Sequence, residues 1–399
     1  MATGRMQTDP METGDVRRPG SVPELAALIA EAARSGARLE LRGGGSKAAF
    51  GAPVHGALRV DMGGFAGLID YDPAELVLTA GAATPLHEIE ALLAGERQML
   101  AFEPFDCAPI LGAAAGRSTI GGVIASGLAG SRRLSRGSVR DHLLGFEAVS
   151  GRAEAFVAGG KVVKNVTGYD LPKLLCGSWG RLAALTRVTL KVVPAGRAQA
   201  TQVLHGLDPG QAMQAMALAM GSQAEVSAAA HCPASPHGVR ACTALRVEGF
   251  APSVAARCAA LQSALQAFGS VETLPEPEAG AFWSGLRTLA PLQDCAVLWR
   301  VNVPPSRGPA VIAALEPVGA RWLFDWAGGL VWLGFDGDPS AVRAAAASAG
   351  GHAMLVRAPE ALRARVPALQ PLPAGVAALE ERIRRAFDPQ GVFETGRFG

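Results

Sequence analysis

The sequence predicts an α+β protein built as two successive units. Three observations carry this expectation. Short helical periodicities alternate with strand-like runs along the chain, and at 399 residues with 49% hydrophobic content there is enough apolar material for more than one core. Near residue 195 the composition shifts from glycine-punctuated segments to Ala-rich helices alternating with strands.

In the first unit, Ser21-Val22-Pro23-Glu24 has the form of a helix-opening capping box, followed by Leu25, Leu28, Ile29 and Ala32 at helical spacing and a stop at Gly36. Strands are expected at 38–41, 58–61, 67–71 and 76–79, then a helix from 84–85 to about 94. A hairpin is expected from 143–149 and 153–158, turned by Ser150-Gly151, and then a short helix at 171–175 and a strand at 185–193. In the second unit, helices are expected at 210–220, 253–268, 278–289, 309–315, 340–349 and 376–387. Its strands are expected at 245–248, 297–303, 322–326, 330–335 and 353–357. The boundaries that follow are a flexible segment 1–20, a first domain 21–195, a smaller α+β cap-like domain 196–375, and a helix and tail 376–399 returning to the first domain.

Composition excludes several functions. Net charge is +2 and no Lys/Arg block is interleaved with aromatics, which argues against nucleic-acid binding. The Arg132-Arg133 pair reads as a solvated or phosphate-facing turn. The first twenty residues hold no apolar core of a signal peptide, and later apolar runs such as 212–220 are too short to span a bilayer. A cytoplasmic protein is expected, with any membrane contact peripheral and made through a partner. Six cysteines lie far apart without a C-x-x-C, so no metal or iron–sulfur cluster is expected in this chain.

The strongest local signal is Arg42-Gly43-Gly44-Gly45-Ser46-Lys47, directly after a strand-like run. Glycines let successive N–H groups converge on one point, and the flanking cations and Ser46 suit a phosphate or pyrophosphate. With 49 glycines in the chain, such a cluster is also often only a turn. A Walker A loop fails because Glu40 stands where its first glycine belongs. A Rossmann fingerprint fails because Gly51 and Pro53 would break the helix that should follow. A second small-residue segment, 118–130, offers Gly121, Gly122, Ala125, Ser126 and Gly127 for close approach of an extended ligand, behind a helix N-terminus near Thr119. Tight helix packing explains that segment equally well.

Taken together, these segments resemble the FAD-binding domain of the vanillyl-alcohol oxidase, or PCMH, type. The 42–47 loop is similar to that family's pyrophosphate loop, and Thr119-Ile120-Gly121-Gly122 with Ala125 and Gly130 to its second flavin-contacting loop. Gly137 through Gly145 is similar to its G-x-x-x-D-x-V-L-G segment, and Gly177-Ser178-Trp179-Gly180 with Leu185-Thr186 to its G-S-x-G…T segment. Lys164-Asn165-Val166-Thr167-Gly168-Tyr169-Asp170-Leu171 resembles the signature of the glycolate oxidase and D-lactate dehydrogenase branch. The ending Asp388-Pro389 through Gly396-Arg397 resembles that branch's D-P-x-G-x-F-x-x-G-R. In length and loop form the chain is most similar to the smaller FAD-binding subunits of bacterial glycolate oxidases.

The resemblance implies a PCMH-type domain of two α/β subdomains and FAD contacts at Arg42, Gly43, Gly44, Gly45, Ser46, Lys47, Ser118, Thr119, Gly121, Gly122, Ser126, Gly127, Asp141, Gly177 and Ala184. It implies oxidation of a 2-hydroxy acid such as glycolate by hydride transfer to the flavin. The implied partners are a larger FAD-binding subunit and an iron–sulfur subunit. Covalent relatives carry a His in the pyrophosphate loop; none stands between Arg42 and Gly51, so the FAD is expected to be non-covalent. Gly127 replaces a common Asn, and Ala183 a common Gly. The G-D-G-N-x-H segment and paired histidines that serve relatives as metal site and base are missing. His352, Arg300 and Arg357 are the defensible placements for substrate chemistry, Trp322, Trp326 and Trp332 read as core, and no catalytic residue is assigned. Two alternatives stay open, a free-standing 2-hydroxyacid dehydrogenase and a structural subunit whose FAD pocket has decayed.

Overall fold

The computed structural model describes residues 16–161, 168–234 and 240–398. The first helix, Val22–Ser35, starts and stops on local chemistry. The Ser21 hydroxyl accepts the Glu24 N–H at 3.4 Å, Glu24 reaches back to the Gly20 N–H at 2.8 Å, and Gly36 closes the helix at φ +72°. Its inner face, Leu25, Ile29 and Ala32, is buried with Leu39 and Val60 of a parallel sheet. That sheet has the order Val16–Arg17, Ala57–Asp61, Arg38–Arg42. Of the segment expected to be flexible, residues 1–15 lie outside the described residues, and Val16–Arg17 is strand-paired.

A second, antiparallel sheet runs Leu68–Asp72, Val77–Gly81, Ala183–Lys191, Leu143–Ser150, Ala155–Gly159. Its hairpin turns at Gly151, as expected. Gly151 is needed there, because a β-carbon would lie 2.2 Å from Asp388 Oδ1. Asp388 accepts the N–H groups of Val392 and Phe393, each at 2.8 Å, and Val392 O accepts the Leu39 N–H at 2.8 Å. The chain's last residues are thereby fastened between the first helix and both sheets.

The third sheet has eight antiparallel strands, ordered Glu272–Leu274, Ala198–His205, Cys242–Gly249, Ala228–Cys232, Arg321–Asp325, Leu330–Gly334, Leu298–Asn302, His352–Arg357. Five of these were expected. Ala198–His205, Ala228–Cys232 and Glu272–Leu274 were not. Ala228–Cys232 has weak strand propensity, but Ala228, Ala229 and Ala230 are fully buried, and small side chains let both faces of the sheet be covered closely. Alternation splits the strand Leu298–Asn302. Trp299 and Val301 pack under the helices Pro209–Met220, Gly308–Leu315 and Pro339–Ser348, while Leu298 faces Phe50, Phe105 and Cys107 of the first unit.

A buried ionic cluster crosses the same interface. Glu103 accepts from Arg132 Nη1 at 3.0 Å, from Arg246 Nη1 and Nη2 at 3.1 and 3.2 Å, and from Arg287 at 3.3 Å. Arg132 also holds Glu248 bidentately, at 3.0 and 2.7 Å. This corrects the expectation of a solvated or phosphate-facing turn at 132–133 for Arg132, while Arg133 is exposed. Arg132 is a buried tie between the layers, and its partners lie 29 and 116 residues away in sequence.

Candidate functional site

The strand Arg38–Arg42 runs out into the loop Gly43–Lys47, which faces the N-terminus of the helix Ile120–Ser126. Thr119 caps that helix, its hydroxyl accepting the Gly122 N–H at 3.3 Å. The two segments approach so closely that only glycine fits. A β-carbon on Gly43 would lie 2.5 Å from Thr119 Oγ1, and one on Gly44 only 1.8 Å from the Arg117 carbonyl oxygen. Arg117 Nε in turn donates to Gly44 O at 2.8 Å. Gly45 has φ +74°. The glycines are thus explained by a shaped approach between two segments, beyond what a simple turn needs.

Between them lies one continuous cleft. Its inner part is lined by Leu39, Met62, Ala82, Ala83, Ala183 and Leu185, an apolar slot suited to a flat ring. Its outer part is lined by the 42–47 loop, Ser126, Phe50, Trp179 and Phe398. Phe50 and Trp179 stack at 4.3 Å with planes 1° apart, and Phe398 closes on Trp179 at 5.4 Å. Trp179 is held at φ +57°, its N–H donated to Ala125 O at 2.8 Å.

The electrostatics favour an anion at the loop. Arg42 pairs with Glu40 at 2.9 Å, yet its Nε is buried without a hydrogen-bond partner. Lys47 Nζ lies 3.5 Å from Ser46 Oγ and would lie 3.7 Å from a β-carbon on Gly122, over the helix N-terminus. Arg397 straps the loop from behind, donating to Ala48 O at 2.8 Å and Phe50 O at 2.7 Å and pairing with Glu40. An orphaned buried N–H, glycines with no room for a side chain, and convergent cations fit a pyrophosphate, and the apolar slot fits the rings of a dinucleotide.

Of the fifteen expected contacts, the cleft brings together Arg42, Gly43, Gly44, Gly45, Ser46, Lys47, Thr119, Gly121, Gly122 and Ser126. The other five stand elsewhere. Ser118 is buried, with its hydroxyl on Asp106 Oδ1 at 2.7 Å, and borders the outer side of the loop beside Arg117. Gly127, at φ +64°, packs against Gly177, with its β-carbon position 3.1 Å from Gly177 Cα, whereas Gly177 has open space around it and is a glycine of left-handed backbone, at φ +83°. Asp141 is a cap, accepting the Ser138 N–H at 2.7 Å and hydroxyl at 2.8 Å, which lowers its pKa. Ala184 points toward the first helix, because strand alternation sends Ala183 and Leu185 to the cleft instead.

Trp179 was legible only as the open position of a glycine-flanked motif, and Arg117 and Glu40 carried no signal, since their roles depend on contacts made in the fold. Lys164 to Thr167 lie outside the described residues. Arg357 is structural: it donates to Ile110 O at 2.8 Å, Gln293 O at 2.9 Å and Cys295 O. Arg300 and His352 border a different pocket.

Arg397→Met should free the loop while leaving the cleft's shape. Each lost hydrogen bond to a charged donor is worth about 1.5–3 kcal/mol, so FAD affinity should fall about tenfold or more, as measured by flavin titration.

Residues 15–159 match a family model described as an FAD binding domain. The glycolate oxidase subunit GlcE of Escherichia coli (strain K12) is 34% identical over 361 residues, 90% of this chain and 92% of that protein. A D-lactate dehydrogenase of Archaeoglobus fulgidus is 31% identical over 180 residues, covering 45% of this chain and 38% of that protein. Solved structures of alkyldihydroxyacetonephosphate synthase superpose with a TM-score of 0.65 over 94% of this chain and 76% of theirs, at 13% identity, and so share the fold. No helix of the described residues is long and apolar enough to cross a membrane. With that likeness running over nearly the whole chain, and an FAD binding domain in its first part, the chain belongs to the glycolate oxidase subunit family of FAD-dependent oxidoreductases.

Proposed function

We propose that this chain is the smaller FAD-holding subunit of a glycolate oxidase complex that oxidises glycolate to glyoxylate. A larger FAD-binding subunit would carry the substrate chemistry, and an iron–sulfur subunit would receive the electrons. In this reading residues 21–195 and the returning segment 376–399 form the FAD-binding domain and 196–375 the cap. The complex would work in the cytoplasm, a placement in keeping with six free cysteines.

The Arg42–Lys47 loop and the Thr119–Gly122 turn would hold the pyrophosphate without a covalent link, and the apolar slot one of the rings. Bound FAD supplies a hydride acceptor. The chain's own residues bind and orient it: Glu40 fixes Arg42 and Arg397, and the Phe50, Trp179 and Phe398 rings exclude water from the outer cleft.

The division of labour rests on one observation: among the described residues lining the cleft there is no histidine, and both carboxylates are engaged. Glu40 is paired with Arg42 and Arg397, and Glu394 with Arg181 and Arg384. A base for the substrate hydroxyl is not on offer. The test is to compare glycolate oxidation with a dye acceptor by the isolated chain and by the complex pulled down with it. The complex should turn over and the isolated chain should not. A rate near a typical enzyme turnover, about 10 per second, from the chain alone would favour the free-standing dehydrogenase.

A further inference from the structure

The helix Ala374–Phe387 is amphipathic, with Val376, Leu379, Ile383 and Phe387 recurring at helical spacing, yet none of its 14 residues is buried. Its last turns dock. Ile383 and Phe387 pack on the core of the five-stranded sheet, where the Phe387 and Phe156 rings lie 6.0 Å apart. Its first turns do not: Val376 is 50% exposed and Leu379 48%, with Leu372 just ahead of the helix at 45%. The apolar stripe therefore runs on past the surface that covers it.

Opposite the stripe stand Leu174, Cys176 and Leu182, and with Leu369 they complete an open groove. The groove shares Ser178, Trp179 and Arg181 with the flavin cleft, so an occupant would lie against the back of the cleft wall. One wall comes from the helix and the other from residues 174–182, a concave form that fits a third helix laid between them. A bilayer surface calls instead for an apolar face that protrudes.

The carboxylates along the groove are already taken within the chain. Glu380 pairs with Arg181 at 2.7 Å, Glu394 with Arg384 at 2.7 Å and Glu381 with Arg385 at 2.6 Å. Two exposed arginines are left over. Arg382 stands one turn beyond Leu379, and Arg140, on the helix Val139–His142 packed against Leu171–Leu175, is close enough for its charge to act on the Cys176 thiol. Among the described residues neither makes an ion pair, although Arg384 and Arg385 on the same helix as Arg382 both do. An apolar groove whose unpaired flanking charges are both positive is complementary to an apolar ridge flanked by carboxylates.

We propose that this groove is the docking site for an amphipathic helix of a partner subunit, apolar on the face it inserts and carboxylate-bearing along its flanks. The inference rests on the reading of this chain as one subunit of an oxidase complex.

The test is to capture the tagged full-length chain from its native cell and measure the iron, second flavin and glycolate-to-dye activity that come with it. The native chain should bring down active complex. Val376→Glu combined with Leu379→Glu should cut the captured iron and activity at least about tenfold. Arg382→Glu or Arg140→Glu should cut them about threefold, by a margin that shrinks as salt is raised. FAD affinity and the thermal melt of each isolated variant should match the native chain, since none of the four residues lines the cleft. The charge-reversal arms stand even where the double variant folds poorly. Active complex captured equally by the double variant and the native chain would overturn the groove and leave the complex reading intact, whereas a native chain that brings down neither iron nor second flavin would overturn both. Charge reversals without effect would overturn the acidic flanks. Two results would overturn the occupant: an isolated native chain that is dimeric where the double variant is monomeric assigns the groove to a second copy, and flotation with anionic phospholipid vesicles that the double variant loses assigns it to a membrane.

Discussion

Gly44→Ala is expected to abolish tight FAD binding. The new methyl would sit 1.8 Å from the Arg117 carbonyl oxygen, a backbone atom that cannot swing aside, so the loop must retreat from the helix N-terminus by more than an ångström. Hydrogen bonds aimed at one anion lose their geometry together, and a loss of about 3 kcal/mol or more, at least about a hundredfold in Kd, follows. Gly45→Ala is the informative comparison. Its β-carbon would meet only Arg117 Nη2, at 3.3 Å, the end of a movable side chain, although φ is +74°. The strain there is about 1–2 kcal/mol, and a smaller loss of affinity is expected. Flavin absorbance titration with a thermal melt of each apoprotein checks both. Equal FAD affinity in Gly44→Ala and the native protein would remove the loop from the binding site.

The second large effect is on stability. Glu103 serves Arg132, Arg246 and Arg287 in the buried cluster, and Glu103→Ala takes the close, bidentate carboxylate from the buried Arg246, whereas Arg132 keeps Glu248. Removing one partner of such a network typically costs about 3–5 kcal/mol. A clear drop in the midpoint of urea unfolding should follow, far larger than for an exposed pair such as Arg18 with Asp61.

The same carboxylate has a pH signature. Although burial alone would raise its pKa, Arg246 and Arg132 outweigh that and hold it at about 2, against 4.5 for a free glutamate. A depressed pKa contributes stability that is complete above about pH 4.5 and is lost as pH falls toward 2. Asp325 works in the opposite sense. Burial raises it from 3.8 to about 7, so the fold loses stability as pH rises across that interval, where the unfolded chain ionises more readily. Asp325→Asn should flatten the neutral side of the pH–stability curve and Glu103→Gln the acid side. Unchanged slopes in both variants would contradict this assignment.

Much of the fold was legible because its signals are local. Ser21, Pro23, Glu24 and Gly36 mark a helix by their own hydrogen bonds and dihedrals, and Ser150-Gly151 marks a hairpin. The glycines of the 42–47 loop and of 121–122 were legible for the same reason, since a glycine run advertises a backbone that needs room. What was hidden depends on partners far along the chain. Ala228–Cys232 is a strand because the sheet buries it, with nothing in its alanines to say so. Arg132 finds Glu248, and Arg397 finds the carbonyls of a loop about 350 residues earlier. Ala184 missed the cleft by one step of strand alternation. Gly127 is required by the close approach of Gly177, and Gly177 by its left-handed backbone, reasons for glycine that look the same in sequence as contact with a ligand.

The central claim is that the cleft between residues 42–47 and 119–126 holds FAD without a covalent bond. The most direct measurement is FAD titration of the purified full chain, followed by denaturation and separation of protein from supernatant. The account predicts equimolar uptake with Kd of about 1 µM or tighter and complete release of the flavin into the supernatant. A folded chain that stays colourless with excess FAD, or one that keeps the flavin after denaturation, would contradict it.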